Sequence, residues 1–408
     1  MLKTLQKFID IGWIQKNSWV LWIPVGIYYL RFIRRPDGMT DYPHAAQCML
    51  DEQTLLACAA GWTYPPVFAF SMIPFAFFPL WMKNAVWYVI SISVIYFGFK
   101  LCEKIVTKTF SLKFDDKELF WFRTLTFLLS LKFILSVLEN QAYDFLIFFF
   151  VVTGVYGLVE KKKFPASLGL SFAAALKATP LLFFPYILFK KKWNVFALCV
   201  AFFLLFSFLP DFFFTPKDSK TGYFITWIRD IARPALPEDR NPESGHFGKE
   251  DNPLNQSLKA LVYRIASLLN SEQHFHGMLY TAYAVLLFLI CYVFLKSSKL
   301  QNPFVLDASV LIIGMLMLSP MSSKSHFIVL IVPNMVITAY LIQQKSFKSI
   351  LGFLLFLSFA FSSLTSKDIL GRQMGTMMLN MGSVTISTLI LLIMIIMIVF
   401  KMSKKADM

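Results

Sequence analysis

The sequence predicts an all-α, polytopic integral membrane protein that forms one membrane-embedded domain over residues 1–408. The first observation is composition, because 57% of the residues are hydrophobic and only 15% are charged, whereas soluble proteins carry about 25% charged residues. The second is the mean hydropathy of +0.61. The third is that the apolar residues come in long runs, more than the interior of a soluble globule could bury.

A series of apolar runs supplies the candidate helices. The runs are residues 19–32, 67–81, 85–99, 119–138, 145–159, 167–188, 193–209, 279–294, 305–318, 327–341, 350–364 and 384–400. Several are shorter than the roughly 20 residues that a straight span needs, and several contain proline, which is typical of broken or re-entrant helices. We therefore expect about ten to thirteen transmembrane or re-entrant helices in this bilayer protein.

The first run predicts an uncleaved helix that starts in the cytoplasm. Residues 1–17 contain Lys3, Lys7 and Lys16, and no A-x-A-like cleavage site follows. The net charge is 39 − 24 = +15. Its first explanation is the enrichment of lysine in cytoplasmic loops, because lysines clustered between apolar runs mark such loops. Such clusters lie at 161–163, 190–192, 296–299, 345–348 and 401–405. Nucleic-acid binding is not expected, since no basic stripe interleaved with aromatic residues lies outside the runs.

Two long polar stretches interrupt the runs, at residues 34–64 (the first outer loop) and 211–276 (the second outer loop). From residue 190 onward, the alternation of lysine clusters places the second outer loop away from the cytoplasm. Both outer loops should lie on one face if they build one site. In the first half, a hairpin broken at Pro180 would keep two lysine clusters on one side. The first outer loop then lies on the same face as the second only if another segment, between residues 64 and 159, does not span the membrane.

The cysteines and histidines predict neither a metal site nor a disulfide framework. The cysteines are Cys48, Cys58, Cys102, Cys199 and Cys291, with no CxxC pair. Cys48 and Cys58 share the first outer loop and could pair in an oxidising compartment, but free thiols are expected. His274 and His276 are close in sequence, yet no further Cys or His nearby completes a metal shell. We expect no metal and no cofactor.

The residues suited to chemistry lie in the outer loops and at breaks in the runs. Asp41 follows the first predicted helix and could be a general base for a hydroxyl, although a loop acid is more often simply solvated. Lys177 is an intramembrane charge beside a proline break, which marks either a functional or a structurally paired lysine. Lys324 and His326 lie where two runs meet, and could either hold a phosphate or form an interfacial turn.

Five segments, in this order, resemble glycosyltransferase family 87, a branch of the GT-C superfamily of polyprenyl-phosphate-sugar-dependent transferases. They are Asp41-Tyr42 with Tyr64-Pro65-Pro66, then Asn140-Gln141, then residues 173–180 (AAALKATP), then residues 255–258 (NQSL) with Arg264, and finally residues 319–326 (SPMSSKSH). The family's glycine before Gln141 is missing here. The resemblance covers roughly residues 41–333, and its specificity lies in the shared order of the segments.

The resemblance implies a GT-C-like fold and a membrane glycosyltransferase that acts at the non-cytoplasmic face of the cell membrane. The donor would be a polyprenyl-phosphate sugar of mannose or arabinose type, the acceptor a glycan or glycolipid, and the reaction an inverting displacement. Asp41 would be the catalytic base. The substrate-binding set would be Lys177, Lys324, His326, Arg264, Asn255, Gln256, Tyr64, Tyr42 and Gln141. Three of these have further, plainer alternatives: Asn255 as a helix cap, Tyr64 as an interfacial aromatic residue and Arg264 as a surface residue.

Two other classes of protein stay open. A secondary transporter or lipid-linked-sugar flippase also uses broken helices with a charge near mid-membrane, and an assembly subunit would have no activity at all. Two long loops on one face favour the transferase, which can use them to hold an acceptor. A nucleotide-sugar donor is not expected, since the sequence has no Walker loop, no GxGxxG after a strand and no nucleophile elbow.

Overall fold

A computed structural model of the chain describes residues 18–29, 38–59, 61–233 and 249–406. The described residues fold almost wholly into helices and contain no β-strand. Five of the described helices are long and apolar enough to cross a membrane, at 80–109, 116–139, 272–297, 324–343 and 383–405. The prediction of an all-α polytopic membrane protein is therefore confirmed. The predicted cytoplasmic start at residues 1–17 lies outside the described residues.

The α-helices are numbered here in chain order. Before residue 210 they are α1 (Ile23–Tyr29), α2 (Gly38–Leu50), α3 (Leu55–Cys58), α4 (Pro66–Ser71), α5 (Ile73–Ala76), α6 (Leu80–Thr109), α7 (Asp116–Glu139), α8 (Asp144–Val159), α9 (Lys163–Leu176), α10 (Phe183–Phe189) and α11 (Trp193–Phe208). After it they are α12 (Tyr223–Trp227), α13 (Leu258–Leu268), α14 (Phe275–Ser297), α15 (Phe304–Leu318), α16 (Ile331–Gln343), α17 (Ile350–Ser363), α18 (Lys367–Asn380) and α19 (Ser383–Ala406). Short 3₁₀ segments include Thr179–Leu182 before α10 and Lys324–Leu330 before α16.

One end of the bundle gathers the lysine clusters, and we call it the basic end. Lys108 Nζ lies 2.8 Å from Glu160 Oε2, which joins the ends of α6 and α8. Gln343 at the end of α16 donates to the Phe110 carbonyl just after α6. The opening of α15 joins the same group, because Lys190 after α10 pairs with its Asp307 at 2.9 Å.

The opposite end carries both outer loops, and we call it the loop end. The Asp218 carboxylate of the second outer loop accepts hydrogen bonds from the backbone N–H and the hydroxyl of Thr54 in the first. Trp227 Nε1 donates to the Thr63 carbonyl at 3.1 Å. These contacts bring the two loops together, as one shared site would require. The first outer loop is not irregular, however, because α2 buries Tyr42 and its neighbours at helical spacing.

The segment between the first outer loop and α6 resolves the topology of the first half. The predicted run 67–81 is broken into α4 and α5, which have six and four residues and are too short to cross a bilayer. Proline at Pro66 and Pro74 lies in the first turn of each. This segment is therefore the additional non-spanning element that the arrangement of lysine clusters requires.

Helices α9 and α10 form the predicted hairpin. The chain leaves α9 at Lys177, whose backbone is extended, and turns back through the 3₁₀ segment that contains Pro180. With 14 residues, α9 is about 21 Å long, short of a bilayer core of about 30 Å. Close packing of small residues anchors the hairpin, since a Cβ at Gly169 would come within 2.6 Å of the Gly154 backbone in α8.

Candidate active site

A buried carboxylate, Asp144, forms the centre of a charged cluster at the loop end. Its Oδ1 atom lies 3.0 Å from Lys177 Nζ and 3.9 Å from His326 Nε2. The three residues come from the first turn of α8, the break after α9 and the 3₁₀ segment before α16. The structure thus brings together two of the predicted site residues, Lys177 and His326, around a third that the sequence analysis missed.

Local backbone structure aims the side chains of Lys177 and His326 at this carboxylate. Lys177 lies where α9 ends, so its side chain leaves the helix at the turn of the hairpin. In the segment before α16, the backbone N–H of Ser323 donates to His326 Nδ1 at 3.3 Å, which leaves Nε2 facing Asp144. The Lys177 and His326 side chains keep 18% and 19% of their surface exposed. A ligand at the loop end can therefore reach both side chains.

Aromatic rings connect this cluster to the first outer loop. The Tyr64 ring lies 5.0 Å from that of Tyr143 and 5.8 Å from that of Tyr42, between ring centroids. Burial raises the pKa of Tyr64 to about 12, and the negative charges of Asp144 and Asp41 act in the same direction. Tyr64 thus lies within electrostatic range of both carboxylates, and the predicted residue Tyr42 packs against its ring.

Asp41 is exposed in the first turn of α2, and Gln141 fixes that turn. The backbone N–H of Met39 donates to Gln141 Oε1 at 2.9 Å, while Gln141 Nε2 donates to Asn84 Oδ1 at 3.0 Å. Trp87 Nε1 donates to the Gln141 carbonyl. The buried Gln141 side chain thus uses both ends of its amide to position the helix that carries Asp41, and its predicted contact with substrate stays a prediction.

Asn255, Gln256 and Arg264 form a brace under the segment that leads to His326. Asn255 Nδ2 donates to the Pro320 carbonyl at 3.2 Å, and the Gln256 backbone N–H donates to the Ser322 carbonyl at 2.7 Å. Arg264 Nη2 donates to the Asn255 carbonyl at 2.7 Å. Their predicted contacts with sugar and phosphate stay predictions. The alternative role of Asn255 as a helix cap is wrong, because Ser257 caps α13.

Lys324 lies near the cluster in sequence but bonds in another direction. Its Nζ atom donates to the Thr365 carbonyl, in the turn before α18, at 3.0 Å. This bond joins the segment before α16 to the final pair of helices at the loop end. The structure therefore brings His326, but not Lys324, to the carboxylate of Asp144.

Comparison with known families decides what this chain is. The model of glycosyltransferase family 87 matches residues 62–320, more than half of the chain. The chain belongs to glycosyltransferase family 87. Neither the curated proteins nor the solved structures gave a match. The matched region contains Tyr64, Asp144 and Lys177, whereas Asp41 and His326 lie on either side of it.

Family membership confirms the resemblance read from the motifs and makes the protein a membrane glycosyltransferase. It also gives the charged cluster a setting, since sugar transfer between two bound substrates needs groups that orient and stabilise both. The residue that the motifs did not reveal is Asp144. One signal was available, because an intramembrane lysine needs a carboxylate partner, and Asp144 is the one acidic residue between Glu139 and Glu160.

A disulfide in this family 87 member ties the end of α2 to α3. It joins Cys48 and Cys58, whose Cα atoms are 5.9 Å apart, so the expectation of free thiols there is wrong. The sequence could not show that the turn between the two helices brings these cysteines together. His44 Nε2 lies 4.0 Å from Cys48 Sγ, but the disulfide occupies both sulfur atoms, which are then unavailable as metal ligands.

Proposed function

We propose that this family 87 glycosyltransferase moves a sugar from a polyprenyl-phosphate donor to a glycan or glycolipid acceptor by inverting displacement. The reaction takes place at the loop end, on the non-cytoplasmic face of the cell membrane. The observation that carries the proposal is the cluster of Lys177 and His326 around Asp144, on the same side of the bundle as the exposed Asp41.

The cluster suits the phosphate of the donor. The Lys177 ammonium has three N–H donors, and its hydrogen bond among the described residues goes to Asp144. A phosphate oxygen can take another donor while Asp144 keeps the ammonium in place. His326 adds a second group that can donate to the phosphate as negative charge develops on it during departure of the sugar.

Asp41 suits the acceptor. It is an exposed carboxylate on a helix whose first turn is fixed by Gln141, and a positioned carboxylate can take the proton of an attacking hydroxyl. The negative charges of this carboxylate and of Asp144 both act to raise the pKa of Tyr64. An inverting displacement needs a base on one side of the sugar and phosphate-binding groups on the other, and Asp41, Lys177 and His326 would fill these roles.

Two features support the assignment of the loop end to the non-cytoplasmic face. The lysine clusters lie at the basic end, and cytoplasmic loops of membrane proteins are enriched in lysine. The Cys48–Cys58 disulfide lies at the loop end, and disulfides persist in oxidising compartments outside the cytoplasm. The mannose or arabinose character of the sugar rests on the family resemblance alone.

The alternative function, a secondary transporter or lipid-linked-sugar flippase, predicts a different fate for the donor. The broken hairpin with its buried ion pair suits a transporter as well, but family 87 membership favours the transferase. Purified protein in liposomes, given a labelled polyprenyl-phosphate mannose or arabinose and a glycolipid acceptor, separates the two. Label in the acceptor supports the proposal, whereas unchanged donor that has crossed the bilayer overturns it.

A further inference from the structure

Two short helices at the loop end carry apolar side chains that stay exposed in the described part of the chain. On α13, Leu268 keeps 83% of its surface exposed and Leu269, just after the helix, 63%. On α18, Met377 is 54% exposed, with Met374 and Met381 exposed beside it. We call this surface the shelf, and define it as Ile265, Leu268, Leu269, Met374, Met377 and Met381.

The end of α18 meets the start of α13. Gln256 Nε2, just before α13, donates to the Leu379 carbonyl of α18 at 2.8 Å. Gly382, just after α18, approaches α13 so closely that an added Cβ would lie 2.8 Å from Leu261 Cδ1. The backbone at Gly382 also has a φ of +71°, which glycine adopts without strain. The shelf therefore comprises two helices from distant parts of the chain that are joined at one end.

Each helix of the shelf lies next to a candidate membrane span in the chain. The span at 272–297 begins three residues after Leu269, and the span at 383–405 begins directly after Gly382. Both spans expose large apolar side chains, among them Phe288 and Phe400. Short helices that expose apolar side chains and directly adjoin such spans in the chain are suited to the boundary between lipid chains and water.

A groove between α13 and α14 opens onto the same surface. It has a volume of about 650 Å³ and is lined mainly by apolar atoms, including those of Val262 and Met278, with Gln273 and His274 at its polar end. Gly277 borders open space in the groove, since a Cβ added there would have no neighbour within 4 Å. The groove is wide open to its surroundings, so a hydrocarbon chain lying in it would touch the protein on one side only.

We propose that α13 and α18 are interfacial helices embedded in the loop-end leaflet, and that the groove holds one hydrocarbon chain of a bilayer phospholipid. The apolar walls would face the chain, and Gln273 and His274 would lie at the level of the headgroup. The shelf is joined to the charged cluster by the bond from Gln256 to Ser322 and by that from Lys324 to Thr365. Lipid contact at the shelf would thus set the depth of the active site relative to the bilayer surface.

Spin-label accessibility tests the position of the shelf. Leu268→Cys and Met377→Cys would be made separately, each in a Cys291→Ser background. Each variant would be labelled with a nitroxide without reductant and placed in phospholipid nanodiscs. We expect both labels to collide readily with oxygen, which concentrates in lipid, and poorly with a water-soluble nickel chelate. Lys217→Cys, exposed on the polar second outer loop, is the matched control and should show the reverse. Shelf labels as accessible to nickel as this control would overturn the proposal.

Photo-crosslinking tests the groove. A phosphatidylcholine with a diazirine in its acyl chain should label α13 or α14 near Met278, as mapped by mass spectrometry. Gly277→Trp should abolish that label by filling the groove, and Gly277→Ala should retain it. Persistent label in Gly277→Trp, or displacement of the label by polyprenyl phosphate at equal concentration, would overturn the assignment to a bilayer phospholipid. Because neither experiment measures sugar transfer, their failure is distinguishable from failure of the proposed function.

Discussion

The Asp144 carboxylate lies 3.0 Å from the Lys177 ammonium, at the point where the α9–α10 hairpin turns back. The pair joins the start of one apolar helix to the end of another, and His326 faces the same oxygen atom. Removing one member of a buried pair leaves an uncompensated charge, which is costly in a low-dielectric setting. This relationship therefore affects both the stability of the loop end and the availability of Lys177 for a phosphate.

We expect Asp144→Ala to destabilise the folded protein by about 3–5 kcal/mol, the usual cost of breaking a buried ion pair. The double variant Asp144→Ala/Lys177→Met removes both charges and should recover much of that loss. Thermal unfolding in detergent, compared across the wild type, both single variants and the double variant, measures the coupling. Additive losses, with no recovery in the double variant, would contradict the assignment of a stabilising pair.

We expect Lys177→Met to lose about 1.5–3 kcal/mol of stabilisation of the bound phosphate, roughly a 10- to 150-fold fall in kcat/KM for the donor. Steady-state transfer at varied donor concentration measures it, with the folded state checked by gel filtration. Lys192→Met is the matched control, since Lys192 is exposed at the basic end. Equal kinetics in the two variants would remove Lys177 from the donor site.

Gln141→Ala should lower kcat by releasing the first turn of α2, where Gln141 accepts from the Met39 N–H. The expected loss is about tenfold, since a misplaced general base loses much of its effect. Gln343→Ala removes a comparable side chain-to-backbone bond, to Phe110 at the basic end, and should leave kcat unchanged. The idea fails if the two glutamine variants transfer sugar at the same rate.

The Cys48–Cys58 disulfide should stabilise the first outer loop by about 2–3 kcal/mol, as expected for a short closed loop. Cys48→Ser/Cys58→Ser should accordingly unfold at lower temperature than the wild type. In intact cells, a membrane-impermeant reductant followed by an impermeant maleimide should label these two cysteines. Labelling that occurs only after the membrane is permeabilised would contradict the assignment of the loop end to the non-cytoplasmic face.

Much of the architecture could be predicted from the sequence because it depends on short-range patterns. Apolar runs, lysine clusters and the proline after Lys177 were sufficient for the membrane fold and the hairpin, whereas the side of the first outer loop depended on a non-spanning segment that the sequence did not identify. Long-range side-chain pairing was harder to predict. The intramembrane charge of Lys177 predicts a partner of opposite charge, but the identity of that partner, Asp144, depends on how two helices pack.

The brace under His326 shows a second limit of sequence analysis. Asn255, Gln256 and Arg264 have the side chains of a sugar- and phosphate-binding set, yet in the structure they bond largely to backbone carbonyls. A backbone carbonyl has no signature in the sequence, since every residue carries one. A polar side chain that positions a loop therefore has the same pattern as one that contacts a ligand.

The central claim is that Asp41 takes the proton of the acceptor hydroxyl. The most direct measurement is the single-turnover rate of sugar transfer from a labelled polyprenyl-phosphate donor by Asp41→Asn, which keeps the shape of the side chain. We predict a fall of about 10²- to 10⁴-fold, the usual contribution of a general base, with expression and thermal stability unchanged. Asp51→Asn, in an exposed acid at the end of the same loop helix, should transfer at the wild-type rate. Wild-type transfer by Asp41→Asn would contradict the account.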